Sequence, residues 1–417
     1  MSMDLTAATA ALKQHYSPDQ INKVVYKTNP LYAMIKKRKD AFGASFELPI
    51  IHRDPLGQNA VFATAQTNAT NSSSSIKRFS LTPVNDYSLA LIDGDVIQRS
   101  QGKENTFLEL LANEIDGAMR QLVRSVSIAM YHAGFGMRGK VDTNNNGGLG
   151  FAQTVLQLSN KGDARNFEVG MVLIVSPDEG TSATRAGSLT IQAIDRAKGT
   201  LTMTGNLSAG IAAIAAGDII FQSGDRNTGA SPAKSKLTGM SGWLPDAAPS
   251  NGESFFGVDR SVDSRLSGNR FDATGYSTEE ALIEAGAQCA AEGGSPDYVF
   301  MSPLRLANFA KALSTKVFID IETETPGVGF RGIEFTNGGS GTIKCMADLN
   351  CPDDHAYMVD LSQWELLSAG EPVHMVENDG LTIRAAASAD KFEVRLRSIA
   401  QLACRAPGWN TVITNLT

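Results

Sequence analysis

The stretch TFLELLANEIDGAMRQLVRSVSIAMYHA, residues 106–133, decides how this chain is read. Phe107, Leu110, Leu111, Ile115, Met119, Leu122, Val126 and Met130 recur at steps of three and four, which lines one face of a helix with apolar groups. Thr106 followed by Glu109 is a capping-box pattern, in which hydroxyl and carboxylate each satisfy an orphan backbone N–H of the first turn. Gly134 and Gly136 end the pattern, because glycine takes the left-handed conformation that closes helices. At about 1.5 Å per residue such a rod is on the order of 40 Å long, more than a small domain needs for packing. The spacing predicts a long spine helix.

The segment before it reads as a two-stranded loop. Phe46–Ile51 is one expected strand, and Phe79–Thr82 continuing through Tyr87–Leu91 its partner, with apolar positions alternating on the second. Between them lies a Ser/Thr/Asn/Gln-rich tract with Asn68, Asn71 and Ser72–Ser75, which has little apolar area to bury. A polar excursion without a core is ordered only by something outside its own fold, and a second copy of the chain is the natural holder.

Composition sets the limits. With 417 residues, 42% hydrophobic and 19% charged, the chain has material for two or three ordinary cores. No run approaches the ~18 apolar residues of a membrane span, and Met1–Lys13 lacks a hydrophobic signal core, so a cytosol-like compartment is expected. Cys289, Cys345, Cys351 and Cys404 are too few for a disulfide framework and are expected as buried thiols. A net charge of -7 argues against a general nucleic-acid binder, which needs a basic surplus to neutralise phosphates. The local exception is residues 1–53, where Lys13, Lys23, Lys27, Lys36, Lys37, Arg38, Lys39 and Arg53 outnumber Asp4, Asp19, Asp40 and Glu47. The run Ile35–Lys39 is its peak, and it reads as a basic arm suited to an acidic face of a neighbour.

After the helix, Asn144–Gly150 is glycine-rich punctuation. From Phe151 to Ser223 the expected elements are short strands: Val169–Val175, Ser188–Ile194, Gly199–Thr204 and Gly217–Gln222, a small barrel or sandwich inserted into a larger domain. The last third mixes helices at Thr278–Glu292, with Ser277 as cap, and Pro303–Leu313 with strands at Tyr298–Met301, Ala356–Val359, Gly380–Ala386 and Lys391–Ala403. That part is α+β, with a mostly antiparallel sheet expected.

Chemical motifs are sparse. Gly327-Val328-Gly329-Phe330-Arg331-Gly332 has the letters of a dinucleotide fingerprint, yet a strand-like Ile333–Phe335 follows where a helix is needed. Asn337–Gly341 is a similar turn without the Lys-Ser/Thr of a phosphate loop. Cys345, Cys351, Asp353, Asp354 and His355 match no tight zinc spacing. His15, His52, His132, His355 and His374 are scattered, with no Gly-x-Ser-x-Gly or His-Glu-x-x-His motif, and Glu322 with Glu324 reads as a solvated strand face. No catalytic, cofactor or metal site is expected; an enzyme using the loop at 327–332 is the rival from another class.

The order of these elements resembles that of tailed-bacteriophage major capsid proteins with the Hong Kong 97-type shell fold. Pro296–Pro303, Tyr357–Leu361, Phe392–Arg397 and the closing Arg405-Ala406-Pro407 add to the likeness. The resemblance implies an N-terminal arm at 1–44, an extended clasp loop at 45–103 and a peripheral domain at 104–150 carrying the spine. It further implies an inserted β-rich domain at 151–223, a return at 224–276, an axial domain at 277–378 and closing strands at 379–417. It implies hexamers and pentamers of an icosahedral head around double-stranded DNA, assembled in a bacterial cytoplasm with separate portal and scaffolding proteins and a decoration protein. Lys36, Lys37, Arg38, Lys39, Asn68, Asn71, Lys77 and Arg78 are the expected inter-subunit residues. Some members weld neighbours through a loop lysine and an asparagine, for which Lys77 and Asn410 or Asn415 would stand. An encapsulin-like compartment shell shares the implied fold and is the nearer alternative.

Overall fold

A computed structural model of the chain describes residues 29–39, 43, 45–93, 104–226, 234–314, 332–337, 341–377, 381–385 and 390–416. The chain divides into two compact units, one of Met1–Ala33, Val84–Gly239 and Gly370–Ala400, the other of Met34–Pro83, Met240–Ala369 and Gln401–Thr417.

In the first unit the long helix runs Glu104–Ala129. Ile115, Met119, Leu122, Val126 and Met130 are all buried, so the stripe faces a core as its spacing requires. The side chains of Thr106, Phe107, Glu109, Leu110 and Leu111 lie outside the described residues. Past Ala129 the bonds tighten to Tyr131 N–H onto Ile128 C=O and His132 N–H onto Ala129 C=O, and Gly134 then turns at φ +95°. Gly239 seals this end: a Cβ there would sit 2.2 Å from the Met130 carbonyl, closer than any side chain tolerates. The helix packs on the strand Val84–Asp93, which pairs antiparallel with the first ten residues of Lys391–Cys404, Ala90 opposite Val394.

Six antiparallel strands follow, in the order Met137–Lys140, Ile219–Gln222, Val172–Ser176, Leu189–Asp195, Thr200–Met203 and Val155–Gln157. A bridge between Val141 and Leu158 joins the first strand to the last, with Ser159 N–H on the Lys140 carbonyl at 2.9 Å. That bridge brings the two edges of the sheet together at one point, and Leu156, Phe167, Leu173, Val175, Ile191, Leu201 and Ile220 form the core of this region. The glycine-rich turn at 144–150 therefore lies between two strands of one small sheet rather than ahead of it. Its pivot is fully buried Asn146, whose amide donates to the Gly150 and Val155 carbonyls and accepts from Gln157 N–H at 2.6 Å. The Lys236 ammonium lies between Asp86 at 2.7 Å and Asp225 at 3.0 Å, with Arg138 on Asp225 at 3.2 Å. Removing one member of this group would leave a charge buried without its counter-ion, which is costly.

The second unit is built on a six-stranded sheet ordered Asn269–Asp272, Thr411–Thr414, Ala356–Val359, Tyr298–Met301, Gly341–Ala347 and Gly332–Asn337. Two of its pairs are parallel and three antiparallel, so it is more mixed than expected. The reason is the helices: parallel neighbours need long crossovers, and Thr278–Ala291 and Pro303–Ser314 lie within them. Ser277 caps the first in a complete capping box, its hydroxyl accepting from Glu280 N–H while the Glu280 carboxylate accepts from Ser277 N–H at 3.0 Å. Of the strand expected at Gly380–Ala386, Arg384–Ala385 pairs with the strand Lys391–Cys404; residues 378–380 and 386–389 lie outside the described set.

The loop ribbon also belongs to this unit. Phe46–Arg53 pairs antiparallel with Ser75–Leu81, Leu48 opposite Phe79. The partner ends there, and Tyr87–Leu91 lies in the separate strand Val84–Asp93, which corrects the continuous strand expected from alternation. Pro83 explains the break, since it offers no N–H to a ladder and restricts Thr82 before it.

Candidate inter-subunit surfaces

The base of the ribbon is anchored within its own unit. Its inner face, Leu48, Ile50, His52, Phe79 and Leu81, is buried. The Phe79 ring lies 5.4 Å from Trp243, Trp243 lies 5.2 Å edge-on to Phe255, and Phe255 lies 4.6 Å from Phe256. The Arg260 guanidinium stacks 3.8 Å over Phe255 and donates to the Gly242 and Trp243 carbonyls. Burial pushes Arg260 down to about 10, which leaves it charged at neutral pH. Backbone bonds finish the seam: Ser80 N–H on the Phe256 carbonyl at 2.9 Å, and Arg265 on the His52 carbonyl at 3.3 Å.

Beyond Arg53 the ribbon loses that support. The sequence suggested a polar tract, and the structure folds Phe62–Asn71 into a helix with no buried residue. Three alanines and no glycine or proline permit it, while Asn59 accepts from Val61 N–H at 2.9 Å near its start. Thr67 and Thr70 bond back to carbonyls of their own helix. Ten residues without tertiary packing make a marginal helix in water. Phe62 is 82% exposed, and Ile51, Leu56, Val61 and Ile76 each more than half exposed. So much apolar surface on one extension makes it a candidate contact surface. Of the expected site residues, Asn68 is half-buried and Asn71 exposed on this helix, Lys77 half-buried and Arg78 exposed on the ribbon. Phe62, Val61 and Leu56 were missed, although an apolar pair inside a polar tract was the visible signal.

The basic arm is partly used inside the subunit. Lys36–Arg38 form a short strand parallel to Trp364–Ser368, placing Lys36 beside Glu365. Glu365 is buried; its carboxylate takes Lys36 Nζ and Arg405 Nη2, each at 2.9 Å. Burial alone would raise this carboxyl, but the two cations hold it below its ordinary value. Lys37 is pushed down to about 8 by burial and then by Lys39, and Arg38 stacks 5.2 Å from the Phe46 ring. Lys39 is exposed; residues 1–28 of the arm lie outside the described set.

Those of the remaining motifs that lie within the described residues belong to the framework. Gly327–Arg331, Glu322 and Glu324 lie outside the described residues, and Gly332 opens a strand that returns at Gly341, Asn337 facing Gly341. All four cysteines are buried thiols. His355 is held by Asp246 at 3.1 Å and Asp354 at 2.7 Å; burial works against its charge, yet the two carboxylates push it up to about 10. Among the described residues no group of three or more His, Cys, Asp or Glu is placed to hold a metal ion, and no helix is long and apolar enough to cross a membrane. Asn410 is fully buried, accepting from Trp364 Nε1 and Asp360 N–H and donating to the Ala406 carbonyl. Asn415 donates to Asp272 at 3.0 Å and is accessible.

Residues 218–416 match the family model of the SU10 major capsid protein. No curated protein matches the chain. Among solved structures the chain is similar to one from the Cyanophage A-1(L) capsid asymmetric unit, with 12% identity, a TM-score of 0.48, and coverage of 94% of this chain and 93% of that one. It is similar to a chain of Mycobacterium phage Bobi at 10% identity and a TM-score of 0.44, covering 93% and 90%. The SrpI encapsulin complex of Synechococcus elongatus follows at 7% identity and 0.41, covering 93% and 86%. Residues 218–416 therefore resemble, in sequence, the SU10 major capsid protein family.

Proposed function

We propose that this chain forms the shell of a phage head, closing into hexamers and pentamers around packaged double-stranded DNA. The supporting observation is the tip helix Phe62–Asn71: ten residues, none buried, beginning with a phenylalanine that is 82% exposed. In a shell the tip lies across the adjacent subunit, which covers its apolar side and brings Asn68, Asn71, Lys77 and Arg78 to the contact. Lys37 and Lys39 on the arm meet a second neighbour. Each contact is modest, and ring closure sums them into a stable particle. The net charge of -7 suits a wall that must not hold DNA by attraction. Portal and scaffolding proteins complete assembly in the host cytoplasm, and a decoration protein occupies the outer surface.

Negative-stain microscopy of the protein expressed with its assembly partners tests this reading. Large heads containing DNA are expected. Small empty shells would favour a compartment protein, and a monomer or dimer under every assembly condition would overturn the proposal.

A further inference from the structure

The outer face of the ribbon and the outer face of the helix Thr278–Ala291 are matched in chemistry. On the ribbon, Ile51 and Ile76 sit directly opposite each other, 62% and 52% exposed, an apolar pair with no cover. Arg78 on the same face is exposed, as is Arg53 at the end nearer the tip, while Glu47 lies at the far end. Asp54 to Asp86 contains no acidic residue between its ends, so the whole tip is neutral to basic. The helix is the reverse. It carries Glu279, Glu280 and Glu284 and no basic residue, and Glu292 follows at its C-terminal end. Its exposed side runs Ile283, Glu284, Ala287, Gln288 and Ala291, at helical spacing. Ile283 is 51% exposed, giving the acidic face an apolar centre of its own. Glu292 stands at the negative end of the helix dipole, where a carboxylate is disfavoured unless a cation answers it. Among the described residues no ion pair involves Arg78, Glu284 or Glu292.

Resting on the clasp reading above, we infer that the partner surface of the ribbon is this helix on a second copy of the chain, with Ile51 and Ile76 seated on Ile283 and Ala287, and Arg78 and Arg53 facing Glu284 and Glu292. Apolar centre meets apolar centre and basic rim meets acidic rim, the pattern that gives an interface its orientation and its rate of encounter. Glu280 is excluded from the rim, because its carboxylate already serves the cap at Ser277.

Charge reversal in the full-length protein tests the pairing. Glu284→Lys places like charges across each contact, and since the contact repeats at every subunit, head yield should fall by roughly tenfold or more. Arg78→Glu should do the same, and the double variant should recover most of the yield. Both positions are exposed, so thermal melting of unassembled subunits should be unchanged, which separates an assembly defect from a folding one. Normal head yield from Glu284→Lys, or a double variant no better than the weaker single, overturns the pairing. Deleting residues 59–74 distinguishes the two levels. If that deletion blocks assembly while Glu284→Lys does not, the clasp stands and this docking face is wrong; if the deletion assembles normally, the clasp itself is wrong.

Discussion

The two ends of one loop obey opposite rules. At its base, Phe46–Arg53 and Ser75–Leu81 alternate buried and exposed positions, and the buried side closes on Trp243, Phe255 and Phe256. At its tip, Phe62–Asn71 buries nothing, although it holds the most exposed large apolar residue of the described chain. The base is completed by its own subunit and the tip is left incomplete. Under the proposed shell function that division has a use: the base aims the tip, and a neighbour covers it.

The division is broken most severely at Trp243, which is fully buried and donates from Nε1 to the Leu402 carbonyl at 3.0 Å. Trp243→Ala should cost about 4 kcal/mol, the usual penalty for deleting a large core aromatic, and should show as a large drop in the urea midpoint.

A smaller effect is expected from His355, whose partner Asp246 lies three residues beyond Trp243 and so ties the anchoring segment to the central sheet. Its pKa rises from 6.5 to about 10 in the folded chain. Proton binding therefore stabilises the fold in full below pH 6.5, and that stability is lost as pH climbs toward 10. Asp246 and Asp354 are both more than half exposed, so solvent reduces the gain to about 2 kcal/mol. Melting temperatures should fall across this window in the wild type, and His355→Gln should flatten the slope.

Glu365 sharpens the contrast from the arm. Its carboxyl is held below 4.5, so its contribution is present above that pH and is lost as the pH drops through the folded value. Because Lys36 is mostly exposed and Arg405 about half exposed, Glu365→Gln should cost only about 1 kcal/mol and should soften acid unfolding. Smallest of all is Phe62→Ser at the tip: subunit stability should change by less than about 0.5 kcal/mol, while head yield falls.

Much of the frame was legible. The spacing of Ile115, Met119, Leu122 and Val126 announced the spine, and Ser277 with Glu280 announced a helix start, because both signals are local. Pro83 also announced the end of the ribbon, but alternation across Phe79–Leu91 masked it. The strand Val155–Gln157 is too short for a period to show, and Asn146 works by bonds that only closure of the small sheet creates. The tip helix was hidden because it has no apolar stripe to read; its Ala, Thr and Asn content fits helix and loop alike. Lys36 was read as part of an arm reaching outward, and its pairing with Glu365 spans a sequence distance that no local pattern encodes.

The central claim, that the tip is finished by a neighbour, is tested most directly by deleting residues 59–74 and imaging the assembly products beside those of the wild type. The account predicts a subunit with an unchanged melting temperature that forms few or no heads. Heads of normal size and number from the deleted protein would contradict it.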